Sequence, residues 1–279
     1  MSRRTSRRIG RIGVFVWLGV ILLTVLFPIY WMVVTALKPA GEMYVAQAIL
    51  WVPHPTLKNF SDLLSQTSFL QQMRNSAIVA LTSTVVGVLL STLAAYSLTR
   101  VHYRGRNVIS AWIFFSYLLP PTLLFIPMYV VFDQLRLLNQ LPALMVAYLS
   151  ITVPFCTWML KGYFLSIPVD LEEAALVDGC SRLQALRRIL MPLAAPGVAA
   201  SSIFAFTLAW NEYLYALVFL SGVSKTTLPV GLSSLIYGDV FLWGQIMAGA
   251  VIMSFPILAV YIVGQRYVIS GMTAGAVRG

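Results

Sequence analysis

The 279-residue chain is 59% hydrophobic and only 10% charged, with a mean hydropathy of +0.84. Soluble domains carry about a quarter charged residues, so this composition excludes an ordinary water-soluble fold and marks a polytopic membrane protein. A net charge of +10 is accounted for by basic residues gathered in cytoplasmic loops, without a nucleic-acid partner.

Five arginines (Arg3, Arg4, Arg7, Arg8, Arg11) precede the first apolar run. That run exceeds the h-region of a signal peptide, about 7–15 residues, and lacks a small-x-small cleavage site, so it reads as a retained span. A membrane helix needs about 20 mostly apolar residues. Val14–Leu37, Ser76–Thr99, Val108–Phe132, Leu141–Leu160, Pro196–Leu220 and Leu242–Gln265 qualify, and only Glu212 interrupts them with a charge. Strands of a β-barrel would alternate in blocks of about ten, and these runs do not. The predicted fold is therefore all-α, with six transmembrane helices. Residues 1–75 hold the N-terminus, first span and outer loop, residues 76–268 a core of five spans, and residues 269–279 a tail.

Orientation follows from the basic residues. Of 19 Lys and Arg, all but Lys38, Lys58, Arg74, Arg136 and Lys225 fall on the side of the N-terminus. That side, with both termini and the loop after the fourth span, is predicted to be cytoplasmic. Of the outward segments, 38–75 is the longest, and its "LWVPHPTLKNF" suggests either an ordered flap or a loop on the membrane surface. In the second span Ser83, Gly87, Ser91 and Ala95 recur at every fourth position, a stripe that lets another helix approach closely. Prolines inside the spans (Pro28, Pro120, Pro121, Pro154, Pro256) predict kinks or breaks, and freed backbone lines cavities in transporters. Cys156, Cys180, His54 and His102 have no metal-ligand spacing, and the cysteines read as small packing residues.

The loop at 168–192 contains "EEAALVDGCSRLQALRRILMP". Pro168 suits a helix start, and Asp170, Glu172 and Glu173 follow where the helix dipole favours negative charge. Gly179 is a natural stop. Ser181 and Gln184 form a capping-box pattern for a second helix that Pro192 would close. Ala174 and Ala175 leave a shallow surface beside the turn. The hairpin is either an interfacial connector or a docking element that inserts into a groove on a cytoplasmic partner.

In this hairpin Glu173, Ala174, Ala175, Gly179, Ile189 and Pro192 stand at the spacing of the EAA motif, which the sequence resembles and which belongs to permeases of ABC importers. Met191 replaces the usual leucine. "NEYLYAL" and the terminal "GMTAGAVRG" resemble the carbohydrate-uptake branch, specifically the second permease subunit of maltose-type systems, and the likeness runs through the whole chain. The resemblance implies a binding-protein-dependent ABC permease fold with a cytoplasmic coupling-helix hairpin. It implies a heterodimer with a second permease, two copies of a cytoplasmic ATPase that binds ATP and Mg, and an extracellular or periplasmic solute-binding protein. The resemblance assigns ATPase coupling to Glu172, Glu173, Ala174, Ala175, Val177, Asp178 and Gly179, and an ATPase contact to Thr273, Ala274 and Gly275 of the tail. The implied cargo is a maltose- or trehalose-like sugar, with glycerol-phosphate compounds as the alternative.

No site for chemistry of the chain's own is evident. "GVSKTT" at 222–227 lacks the glycine before Lys225 that a phosphate-binding loop needs, and it falls on the outer side. An intramembrane serine hydrolase needs a histidine beside its serine within the bilayer, whereas His54 and His102 fall in loops. An ATP-independent channel would call for a ring of like charges, which could come from several chains. Glu212 is the intramembrane carboxylate, in the outer third of its span, and such a residue marks function by default. With Trp210, Asn211, Tyr213 and Tyr215 it forms a candidate substrate path, set against the reading of Glu212 at the water boundary, capped by Asn211, within an aromatic belt.

Overall fold

The computed structural model describes residues 3–44, 50–222, 225–237 and 240–276, and within these the side chains of 3–12, 240 and 268–276 are not described. Helices α1 (Arg3–Ala36), α2 (Lys58–Gln66), α3 (Phe69–Arg100), α4 (Arg106–Leu118), α5 (Pro121–Gln134) and α6 (Leu141–Ser166) come first. They are followed by α7 (Asp170–Val177), α8 (Arg182–Leu193), α9 (Ala195–Asn211), α10 (Leu214–Phe219), α11 (Leu228–Ser233) and α12 (Trp243–Ala276). A two-residue antiparallel pair, β1 (Ile236–Tyr237) and β2 (Val240–Phe241), precedes α12. Among the described residues four helices are long and apolar enough to cross a membrane, and up to six spans result if each of two bent pairs counts as one.

The chain divides into two compact units, residues 1–69 with 232–254, and residues 70–231 with 255–279. In the first, the Asn59 side-chain amide donates to the carbonyls of Ala36 and Lys38, both at 2.8 Å, satisfying backbone left over at the end of α1. Leu63, Phe69 and Ala248 are buried, and a methyl group at Gly249 would meet Leu232 at 2.3 Å, Phe69 at 3.2 Å and Leu63 at 3.4 Å. The segment around "LWVPHPTLKNF" thus holds a short helix, α2, that periodicity did not reveal.

In the second unit α6 is the hub. The small-residue stripe of α3 faces it: Ser83 and Ser91 donate to the carbonyls of Met145 (3.4 Å) and Val153 (3.1 Å). A methyl at Gly87 would lie 2.9 Å from the Thr152 hydroxyl. On another side α9 packs so closely that a methyl at Gly197 would meet the Tyr163 ring at 2.4 Å, and Phe155 stacks on Phe204.

Three predicted elements differ. The span Val108–Phe132 is two helices, α4 and α5, meeting at 99°. Each proline disfavours helical backbone at the residue before it, and with two in succession Leu119 (φ −69°, ψ 128°) and Pro120 (φ −59°, ψ 127°) are both extended. The span Pro196–Leu220 is broken at Glu212, which is extended at φ −66°, ψ 129°. Pro192 does not close the second hairpin helix. Leu186–Leu190 forms a π-helical turn, which shifts the hydrogen-bond register where the proline ring would otherwise collide with a carbonyl. The helix then runs to Leu193 before an 81° bend into α9.

Candidate functional site

The hairpin joining α6 to α8 is built by local chemistry. At the end of α7, Cys180 N–H donates to Ala175 O (2.9 Å) and Gly179 N–H to Leu176 O (3.1 Å), the paired bonds of a Schellman ending. Gly179 sits at φ +88°, a conformation that costs any residue with a β-carbon. At the start of α8, Gln184 N–H donates to Ser181 Oγ (3.3 Å) and Ser181 N–H to Gln184 Oε1 (2.8 Å), completing the predicted capping box. The turn is therefore fixed from both ends.

The two consecutive glutamates of this hairpin part company. Glu172 is 5% exposed; its carboxylate accepts from the Tyr96 hydroxyl at 2.5 Å and lies 3.3 Å from Nε of Arg100. The Arg100 Nη2 donates to the carbonyls of Phe164 (2.9 Å) and Ile167 (2.7 Å), which belong to the last turn of α6 and the residue following it. Glu173 points outward. Of the two alanines, Ala175 is buried and only Ala174 reaches the surface. Val177 is 87% and Leu183 67% exposed, with Leu171 and Leu176 less so, and Asp178 and Gly179 complete the same exposed end. A helix with an apolar outer face, rimmed by Glu173 and Asp178, is suited to seating in a complementary groove.

At the break between α9 and α10, Glu212 joins three elements. Its carboxylate accepts from Tyr215 N–H (2.9 Å), Ala216 N–H (3.2 Å) and the hydroxyl of Tyr148 on α6 (2.8 Å). It thereby occupies donors at the start of α10 that no preceding turn can satisfy. Trp210 is buried and stacked on Phe206. Tyr215 is buried too, and its hydroxyl donates to Pro121 O at 3.0 Å. Asn211 and Tyr213 are the exposed members of the group. Asn211 donates to Thr207 O at 2.8 Å and so turns back on its own helix.

The backbone of Thr273, Ala274 and Gly275 is helical, the continuation of α12, while their side chains lie outside the described residues. Arg100, Tyr96 and Tyr148 were missed from sequence. Arg100 read only as one more basic residue at a span end, and each tyrosine as one aromatic among many. The one available signal was that a single hairpin carried two adjacent glutamates where one sufficed for the motif.

A family model, "Binding-protein-dependent transport system inner membrane component", matches residues 87–274. The sulfoquinovosyl glycerol transport system permease protein SmoH of Agrobacterium fabrum is 40% identical over 267 residues, covering 95% of this chain and 93% of its own. The trehalose/maltose transport system permease protein MalG of Thermococcus litoralis is 32% identical over 268 residues, covering 94% and 95%. Among solved structures, a bacterial ABC transporter involved in the import of the acidic polysaccharide alginate superposes with a TM-score of 0.82 at 25% identity, covering 96% of this chain and 98% of that one.

Proposed function

The chain belongs to the family of binding-protein-dependent transport system inner membrane components, and from that membership and the names of its relatives we propose that it carries saccharides as one permease of an ABC importer. It is a multi-pass membrane protein and a transport subunit rather than an enzyme; ATP hydrolysis belongs to a separate ATPase. A maltose- or trehalose-like oligosaccharide or a sugar glycoside is the cargo class that its relatives' names favour.

The observation that carries this reading is the hairpin, whose fixed turn presents Glu173, Ala174, Val177, Asp178 and Gly179 to a partner. An ATPase dimer seated on that face holds ATP and Mg, and its closure pushes the hairpin. A second permease completes the path, and a solute-binding protein delivers cargo from outside. The membrane is the cytoplasmic (inner) membrane, with both termini and the hairpin in the cytoplasm, in line with the basic residues. Thr273, Ala274 and Gly275 extend α12 toward the ATPase. In the path itself, Asn211 and Tyr213 are the members of the predicted group positioned to meet sugar hydroxyls, while Glu212, Trp210 and Tyr215 hold the break in shape.

Purification from native membranes in mild detergent tests the reading. A second permease and an ATPase co-purify, and a binding protein loaded with labelled maltose, trehalose or a sulfosugar glycoside stimulates hydrolysis. Stimulation by glycerol-phosphate compounds alone overturns the cargo; a lone polypeptide without ATPase overturns the importer.

A further inference from the structure

Accepting the hairpin as the ATPase-docking element, we propose that Glu172 is not part of the docking face. Instead, through Arg100 and Tyr96, it makes the hairpin move as one body with the ends of α3 and α6. The Arg100 side chain is 4% exposed and the Glu172 side chain 6%. A guanidinium taken out of water needs its charge met and its donors filled. Here the carboxylate of Glu172 meets the charge as an ion pair with Nε, and the carbonyls of Phe164 and Ile167 accept from Nη2, lying where the helix dipole favours a cation. One side chain of α3 thus grips the end of α6 and the first turn of α7 together.

The surroundings are dry. Ala95, Leu160, Phe164, Ile167, Leu186 and Leu190 pack around the group, so residues on both sides of the hairpin, before α7 and within α8, enter one apolar cluster. Only three residues separate α6 from α7, and with no lock at their inner end a push on Ala174–Gly179 would be lost by swivelling there. With Glu172 held, the push arrives at the ends of α3 and α6. The adjacent glutamates divide the work: Glu173 faces the partner and Glu172 faces the bundle.

The test uses the assembled transporter in lipid nanodiscs, with Cys156 and Cys180 replaced by serine and spin labels at Asp170→Cys on α7 and Leu93→Cys on α3, both exposed positions. Distances are read by pulsed electron resonance without nucleotide and after trapping with ATP and vanadate. In the parent the distribution is narrow and unchanged by trapping. Glu172→Gln keeps the shape but removes the charge, and it broadens the distribution at least twofold while the amount of co-purifying ATPase stays within twofold. Arg100→Lys, which keeps the charge but loses the planar fork that sets Nη2 on the two carbonyls while Nε faces Glu172, gives the same broadening and serves if Glu172→Gln folds poorly. A parent distance that shifts on trapping, an unbroadened distribution in both variants, or loss of ATPase from both overturns the proposal. Val177→Asp separates the two readings: if it leaves ATPase association intact, the docking assignment fails, not the lock.

Discussion

At Glu212 the carboxylate is the acceptor for three donors: two backbone N–H groups of α10 and the Tyr148 hydroxyl. Glu212→Ala would strand all three in a site away from bulk water, where an unfilled donor costs about 1–3 kcal/mol. Shared relaxation reduces the sum, and the expected loss is about 2–4 kcal/mol, read as a lower melting temperature of the detergent-solubilised complex. Glu212→Gln keeps an acceptor and restores at least half of the loss. If Glu212→Ala melts with the parent and instead changes which sugar is carried, the carboxylate belongs to the cargo and not to the break. Gly179 is a simpler case. Its φ of +88° penalises a side chain by about 1–2 kcal/mol, and an aspartate there adds charge to the docking end. Gly179→Asp should reduce co-purifying ATPase about tenfold, the equivalent of about 1.4 kcal/mol, while membrane insertion stays at the parent level. Equal loss of both would mean misfolding.

Among the elements, the long spans were legible because a continuous apolar run of about 20 residues has few other uses, and the stripe Ser83–Ala95 was legible because small residues at every fourth position make a face. The breaks were only half legible. Pro120 and Pro121 announced a disturbance between α4 and α5, but its angle of 99° depends on packing that no local pattern records. The π turn at Leu186–Leu190 was not legible, since five residues set up no period, and α2, although Phe60, Leu63 and Leu64 stand at helical spacing, was masked by the prolines that precede it. The pairs Arg100–Glu172 and Tyr148–Glu212 were invisible because each joins helices distant in sequence. Close helix crossing, by contrast, is testable at Gly197, where a side chain would enter the Tyr163 ring. Gly197→Val should overpack the α6–α9 contact at a cost of about 1–3 kcal/mol. Tyr163→Ala in the same chain should recover most of the folded yield seen by size-exclusion chromatography. A double variant no better than Gly197→Val would place the strain elsewhere.

On the scale of the whole molecule, none of the apolar window of α1 is buried within the chain. That exposure alone does not require a protein partner, because lipid tails are as apolar as leucine. The exposed apolar residues of the hairpin are different, because they are predicted to face water. Leu171, Leu176, Val177 and Leu183 form the interior of the proposed ATPase contact, and Glu173 and Asp178 lie at its rim. Rim charges set rates and orientation more than affinity, and salt shortens their reach from about 10 Å at 0.1 M to about 3 Å at 1 M. The assembly should therefore survive high salt. Between about 0.1 and 1 M sodium chloride the ATPase retained on the immobilised permease should fall by less than about twofold, since screening acts on the exposed pairs alone. Val177→Asp should strip it at either concentration, because an unpaired carboxylate forced into a dry contact costs about 3 kcal/mol or more. A tenfold loss with salt in the parent, with Val177→Asp retained, would mean that charge holds the two proteins together and that the apolar face has another use.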